Sequence, residues 1–231
     1  SRYGIGDLGD EAYRFVDLLI ASGQDLWQIL PLGPTGSDGS PYQGYSAFAG
    51  NPLFISPDKL VFDGLLEANE TAFLPEFPNN GIDFAQVKNF KDNLFRRAFK
   101  RFQETVSQAD YQLFLEENSY WLFDYALFRA LANYFDGVSW HLWPSALAWR
   151  EEKALSSFRK SLKKEIDYQI FLQYIFYCQW MKLKNYAGAK GLKIIGDIPI
   201  YIAYESSDVW THPHLFSLDD TGRPQLVGGV P

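Results

Sequence analysis

Two stretches of this 231-residue sequence hold residues whose types could handle a ligand. The first, GSPYQGYSAFAGNP from Gly39 to Pro52, spreads Tyr42, Tyr45 and Phe48 through turn formers with neither a strand nor a helix period. Aromatic rings on loops are what sugar-binding clefts use, since a flat ring covers the apolar face of a pyranose. The second, LKIIGDIPI from Leu192 to Ile200, ends an apolar run on Asp197. A carboxylate at the C-terminal end of a buried strand faces the shared site of α/β folds, and a cap or a salt bridge is the equal alternative. Asp7, Asp10 and Asp38 fall in loops or first helical turns, where capping or solvation accounts for them. Glycoside chemistry needs two carboxyl groups, about 5 to 5.5 Å apart in retaining enzymes, and only Asp197 recommends itself.

Other chemistries find no support in the spacing. His141, His212 and His214 offer no H-E-x-x-H or comparable ligand pattern, and His212-Pro213-His214 reads as a turn. There is no Walker loop and no G-x-S-x-G elbow. Gly4-Ile5-Gly6-Asp7-Leu8-Gly9 falls one residue short of G-x-G-x-x-G and follows no strand. A net charge of −7 argues against nucleic acid or an anionic membrane surface, because an acidic surface repels phosphate; a neutral ligand fits better. The single cysteine, Cys178, excludes an internal disulfide and sits in an apolar helical stretch as a small core residue, so a reducing compartment is expected. No apolar run approaches the ~18 residues of a membrane span, and no signal-peptide pattern is read at the start, so a soluble, cytoplasmic protein is expected. Aromatics make up 17% of the residues, with seven Trp, which leaves core and sugar cleft both open.

The elements that must position these residues follow from periodicity. Ala12, Phe15, Val16 and Leu19 predict a helix over 9–22, stopped by Gly23. LWQILPL, Leu26 to Leu32, and LKIIGDIPI read as buried strands, and LFIS, Leu53 to Ser56, as a short one. From 57 to 165 the pattern is helical. One helix puts Phe84, Val87, Leu94, Phe95, Ala98, Phe99 and Phe102 on a stripe, with Lys88, Lys91, Arg96, Arg97 and Arg101 as its solvated face. A second, Tyr120 to Phe135, is apolar nearly all round, and a third runs from about Lys164 to Ala189. Ser206 or Ser207 caps a last helix, and LDDTGRPQLVGGVP reads as a hairpin or loop. Buried strands alternating with helices make an α/β sheet or barrel, but two strands close nothing. With Ser1-Arg2-Tyr3-Gly4 at one end and Val230-Pro231 at the other, the sequence reads as part of a fold.

Several segments together resemble the bacterial 4-alpha-glucanotransferases, also called amylomaltases (glycoside hydrolase family 77). They are YGIGDLG (3–9), WQILPLGPTG (27–36), SPYQGYSAFAGNP (40–52), YALFRAL (125–131), GDIPIYIA (196–203), SSDVW (206–210) and LDDTGRPQLVGGVP (218–231), in the family's order. The resemblance implies part of an α-amylase-like (β/α)8 TIM barrel: barrel segments 1–56 and 164–231 around a helical insertion, 57–163. It implies retaining transfer of α-1,4-glucan segments between cytoplasmic maltooligosaccharides, without metal or organic cofactor. By the same resemblance Ser40 and Tyr42 belong to a donor-side loop, Asp197 lies close to the catalytic subsite, and Tyr45 and Phe48 pack the loop onto its scaffold. The family's R-I-D-H-F-R-type nucleophile motif and its later acid/base Glu do not occur here, so no catalytic residue is assigned within the chain and the covalent chemistry is expected in a C-terminal half. Ser37 stands where some relatives carry an aromatic residue, and Glu205 replaces a commoner Asp. An α-amylase-type hydrolase and a non-catalytic glucan-binding protein are the alternatives, and the isolated fragment is expected to be inactive and marginally stable.

Overall fold

A computed structural model of the chain describes residues 1–36, 39–105, 108–199 and 202–226; the expectations that involve Ser37, Asp38, Ile200 and 227–231 lie outside the described residues. In order come α1 (Asp10–Ala21), β1 (Leu26–Gln28), α2 (Pro57–Phe62), α3 (Phe84–Thr105), α4 (Gln108–Glu117), α5 (Leu122–Tyr134), α6 (Ser145–Ala148), α7 (Glu152–Ser161), α8 (Lys163–Ala189), β2 (Lys193–Ile195) and α9 (Ser207–Thr211), with short 3-10 turns between them. The described residues group into two compact units. The first comprises Ser1–Leu32, Gly50–Gln112 and Phe171–Asp197, and the second Gly33–Ala49, Leu113–Ile170 and Ile198–Pro231. Among the described residues no helix is long and apolar enough to cross a membrane.

In the first unit β1 and β2 pair in parallel, Trp27 opposite Ile194, and the ladder gains one more bond where the Ile29 N–H donates to the Ile195 carbonyl at 3.0 Å. The expected long buried strands are corrected here. Each is three residues long, and Leu26, Leu30 and Ile195 are 54%, 58% and 45% exposed. Among the described residues each strand pairs only with the other, so regular backbone ends where that pairing ends, and neither face is covered along its length. The core of this unit instead lies between helices. Val87, Leu94, Phe95, Ala98 and Phe102 of α3 are buried, and the Phe102 ring sits 4.9 Å from that of Phe171 on α8.

Leu53 to Ser56 is also not a strand. Pro52 opens a 3-10 turn, with the Asn51 Oδ1 accepting from the Leu53 N–H at 3.0 Å as its cap. The backbone around this turn is buried, so its polar groups need partners from inside the protein. Two glutamines of α8 supply them in the same way. Gln173 accepts from the Gly50 N–H at 2.8 Å and donates to the Gly50 carbonyl at 3.0 Å; Gln179 does likewise with Ser56 at 2.8 and 3.2 Å. Gly50 is required at its site because a Cβ would lie 2.0 Å from the Phe176 ring.

Lys91 completes the enclosure, and its place on the solvated face of α3 is overturned: its side chain is 0% exposed. The ammonium donates to the Leu53 and Ile55 carbonyls at 2.7 and 3.0 Å and lies 3.7 Å from Asp7, which itself accepts from the Gly9 N–H at 3.0 Å. Two buried carbonyls and a carboxylate outweigh the helical pattern that assigned this position to solvent. Arg101, by contrast, meets Glu70 at 2.7 Å near the surface.

Removing the glutamine amide tests the first of these anchors. Gln173→Leu leaves the Gly50 N–H and carbonyl without partners, and the loss is expected at about 2 to 4 kcal/mol by urea denaturation, two groups at roughly 1 to 2 each. Lys91 carries a pH signature. Burial pushes its ammonium down from 10.5 to about 8, so between those values the unfolded chain binds the proton and the native one does not. Native stability therefore carries a cost below pH 8 that is relieved as pH rises toward 10.5. Relative to Lys91→Met, the parent should gain roughly 3 kcal/mol across that window, and a flat difference would contradict the buried charge.

Candidate functional site

The loop that carries Ser40 and Tyr42 is a small irregular hairpin in the second unit. Thr35 and Gly44 form an antiparallel bridge, the Tyr45 N–H donates to the Pro34 carbonyl at 2.9 Å, and the Gly36 N–H to that of Gln43 at 3.2 Å. Ser40 and Tyr42 sit at its tip, joined by a 3.3 Å bond from the Tyr42 N–H to the Ser40 Oγ, with the Tyr42 ring 44% exposed. The outgoing arm folds on itself, since the Ser46 Oγ accepts from the Phe48 and Ala49 N–H groups at 3.1 and 3.3 Å.

What holds this arm comes from α5, the turn before it, and α9. Arg129 of α5 lies over the Tyr45 ring, 4.4 Å from its centre. The Ser207 N–H and hydroxyl both donate to the Tyr45 carbonyl, at 2.9 and 3.2 Å, and the Asp208 carboxylate accepts from the Ala47 N–H at 3.1 Å. Phe48 meets Tyr120 edge-on at 5.4 Å and lies nearly parallel to Trp121 at 6.3 Å. Tyr45 is thus packed onto the scaffold, whereas Phe48 touches two rings yet stays 54% exposed, more open than Tyr42 at the tip. Ser206 is the cap of α9, its Oγ accepting from the Val209 N–H at 3.2 Å.

The scaffold is rigid for a reason visible in its tryptophans. Trp140, Trp143 and Trp210 are buried together with Phe128, Leu131 and Leu147. Each indole N–H has a carbonyl: that of Tyr204 at 3.0 Å, of Val138 at 2.8 Å and of Leu147 at 3.0 Å. Buried rings with satisfied N–H groups add apolar burial without a desolvation penalty. Arg150 stacks over Trp210 at 4.2 Å and pairs with Asp124 at 2.6 Å.

Asp197 belongs to the first unit, two residues past β2, and is partly buried. Because β1 and β2 are parallel, their C-terminal ends lie on one edge of the sheet. Asp197 leaves the sheet at that edge, whereas Ser40 and Tyr42 belong to the second unit. Glu205 accepts from the Ser139 hydroxyl, whose oxygen also lies 2.7 Å from the His141 Nδ1. With the hydroxyl proton given to Glu205, the His141 Nδ1 carries the hydrogen. Among the described residues no three His, Cys, Asp or Glu side chains gather as a metal site, and the rings of His212 and His214 lie 6.0 Å apart.

Comparison with known proteins decides the family. A model described as 4-alpha-glucanotransferase, glycoside hydrolase family 77, matches residues 1–231. The chain belongs to this family. It is 43% identical to the 4-alpha-glucanotransferase of Synechocystis over 100% of its own length and 46% of the relative's. It is also 43% identical to that of Thermus thermophilus, over 99% and 46%. Amylomaltase from Streptococcus agalactiae, solved in complex with acarbose, matches all of this chain with 47% of its own, at 39% identity and a TM-score of 0.94. The chain thus spans about half the length of the curated relatives it matches. The α/β class read from the sequence agrees with that likeness.

Sequence reasoning missed the anchors of the loop. Ser207 suggested only a helix start, and Arg129 lay unremarked in a helix that is apolar nearly all round; the signal available was that SSDVW and YALFRAL occur beside SAFAGNP among the family motifs. Burial raises the Asp208 carboxyl above its usual range, and the Ala47 N–H bond opposes this only in part. The native state therefore binds a proton more readily than the unfolded one, and this carboxylate's contribution to stability falls as pH rises through that window. Asp208→Asn keeps an acceptor for the Ala47 N–H without the charge. Its Tm at pH 7 should equal or exceed the parent's, and the gap should close as pH falls toward 3.8. A large loss at pH 7 would mean that the charge, not the acceptor, holds the loop.

Proposed function

We propose that this chain is the N-terminal part of a cytoplasmic 4-alpha-glucanotransferase that moves α-1,4-glucan segments between maltooligosaccharides with retention, through a covalent glycosyl-enzyme. In this reading residues 1–56 and 164–231 are segments of an α-amylase-like (β/α)8 barrel, and 57–163 is its helical insertion. Ser40 and Tyr42 meet the donor sugar from the loop tip, and Asp197 binds hydroxyls near the reacting bond. The nucleophile and the acid/base group come from the C-terminal half of the polypeptide, and no metal or organic cofactor takes part.

The observation that carries the reading is the likeness of the whole chain to an amylomaltase solved in complex with acarbose, at a TM-score of 0.94. The chemistry of the loop agrees with it. An exposed tyrosine at a tip whose base is fixed by an arginine, a serine and a carboxylate presents a ring at little entropic cost, which suits a flat pyranose face. The acidic chain would not attract phosphate and has no quarrel with a neutral glucan.

Full-length enzyme given maltotriose should yield glucose together with longer maltooligosaccharides, followed by chromatography; glucose without longer products would show a hydrolase. The 231-residue chain alone should not turn maltotriose over. Within the full-length enzyme, Asp197→Asn should lower kcat/KM by about 10- to 100-fold, as expected for a lost charge-assisted hydrogen bond. Tyr42→Phe should lower it by about fivefold if the hydroxyl bonds sugar, and leave it unchanged if only the ring is used.

A further inference from the structure

A shallow groove of about 510 Å³ lies on the second unit between Trp149, which follows α6, and the segment after α9. Trp149, His214, Phe216, Asp219 and Asp220 line it. Trp149 is 47% exposed, unlike the three tryptophans of the core. Its ring is nonetheless fixed, edge-on to Trp140 at 6.4 Å and against Gly222, whose positive φ of 82° lets the hairpin backbone approach both rings.

The hairpin itself is preorganised. Leu218 and Pro224 form an antiparallel bridge, and the Tyr204 hydroxyl donates to the Gly222 carbonyl at 2.7 Å. The Asp219 Oδ1 accepts from the Thr221 N–H and hydroxyl and from the Arg223 N–H, at 2.8, 2.7 and 2.9 Å, and these bonds keep the carboxyl ionised below its usual range. Asp220 and the His214 ring, beside it, make no side-chain hydrogen bond among the described residues. An open indole face with unsatisfied acceptors at its rim, and no Lys or Arg among the residues that line it, suits a neutral polyhydroxylated chain.

We infer that this groove binds α-glucan, one glucosyl ring stacking on Trp149 while sugar hydroxyls donate to Asp220 and bond to His214. The inference rests on the proposed activity for the identity of the sugar. It was built on residues to which the family motifs gave no ligand, and its volume accommodates more than one glucosyl unit.

Affinity electrophoresis of the full-length enzyme in gels with and without glycogen tests it, with maltotriose turnover as the check that each variant is folded. Trp149→Ala should weaken the apparent affinity for glycogen by about 5- to 10-fold. Asp220→Ala, which removes no internal contact, should weaken it by about 3- to 5-fold with maltotriose turnover within a factor of two of the parent's. Unchanged retention in the Asp220 variant, or retention that falls only in step with turnover, overturns the inference. A parent that does not lengthen maltotriose would instead defeat the proposed activity, whatever its behaviour on glycogen.

Discussion

The first unit depends on how a buried, non-repetitive piece of backbone is satisfied. From Gly50 to Ser56 a single 3-10 turn and a few loop contacts satisfy only some of the N–H and carbonyl groups, and each one left unpaired would cost about 1 to 3 kcal/mol. Gln173 and Gln179 of α8 each offer the donor and acceptor that one residue's backbone presents, and Lys91 of α3 takes two further carbonyls. Amide side chains are the natural partners here because they mimic the peptide itself. The consequence is geometric: three side chains on two helices fix the backbone on both sides of the 3-10 turn.

The second unit solves a related problem by other means. Its hairpin carries Ser40 and Tyr42 at the tip, and the arm that leaves the tip is tied at its base. Arg129 covers one ring, Ser207 and Asp208 hold two backbone groups, and Tyr120 and Trp121 receive Phe48. The Asp208 carboxylate is the costly member, because burial raises its proton affinity and the bonds from Ala47, its own N–H and Ser207 compensate only in part. The bond to Ala47 needs only an acceptor, so the anchoring accounts for an oxygen at this position and not for its charge.

The sequence made legible what depends on local pattern. The stops at Gly23 and Gly191, the stripe of α3, the long α8, the Ser206 cap and the hairpin near Leu218 follow from periodicity and turn chemistry. What it could not show is what depends on the third dimension. Lys91 sits between cationic neighbours on a helix, and only the approach of the Leu53 and Ile55 carbonyls turns it inward. Gln173 and Gln179 look like ordinary polar breaks in an apolar helix until Gly50 and Ser56 are set beside them. The strands were overread because apolar runs were taken as burial, whereas burial needs covering layers that the described residues do not supply for Leu26, Leu30 and Ile195. Of the candidate site, the sequence singled out Asp197 by its place after an apolar run and Tyr42 among the loop aromatics, while the roles proposed for Ser40, Tyr42 and Asp197 rest on family resemblance.

The aromatic excess that opened two readings resolves into a division of labour. A tryptophan whose N–H finds a carbonyl can be buried at no polar cost, and Trp140, Trp143 and Trp210 take that route. Tyr45 is held by a cation at the base of a loop, and Phe48 leans on two rings there while more than half of it stays exposed. What is left exposed on ordered backbone is a smaller set, including Tyr42 at the loop tip and Trp149 in the groove. A ring that is both fixed and open has already lost its freedom in the fold, so a flat ligand that stacks on it has little further entropy to overcome. Many of the aromatics build the scaffold, and in the function proposed above a sugar stacks on the few whose faces that scaffold holds open to water.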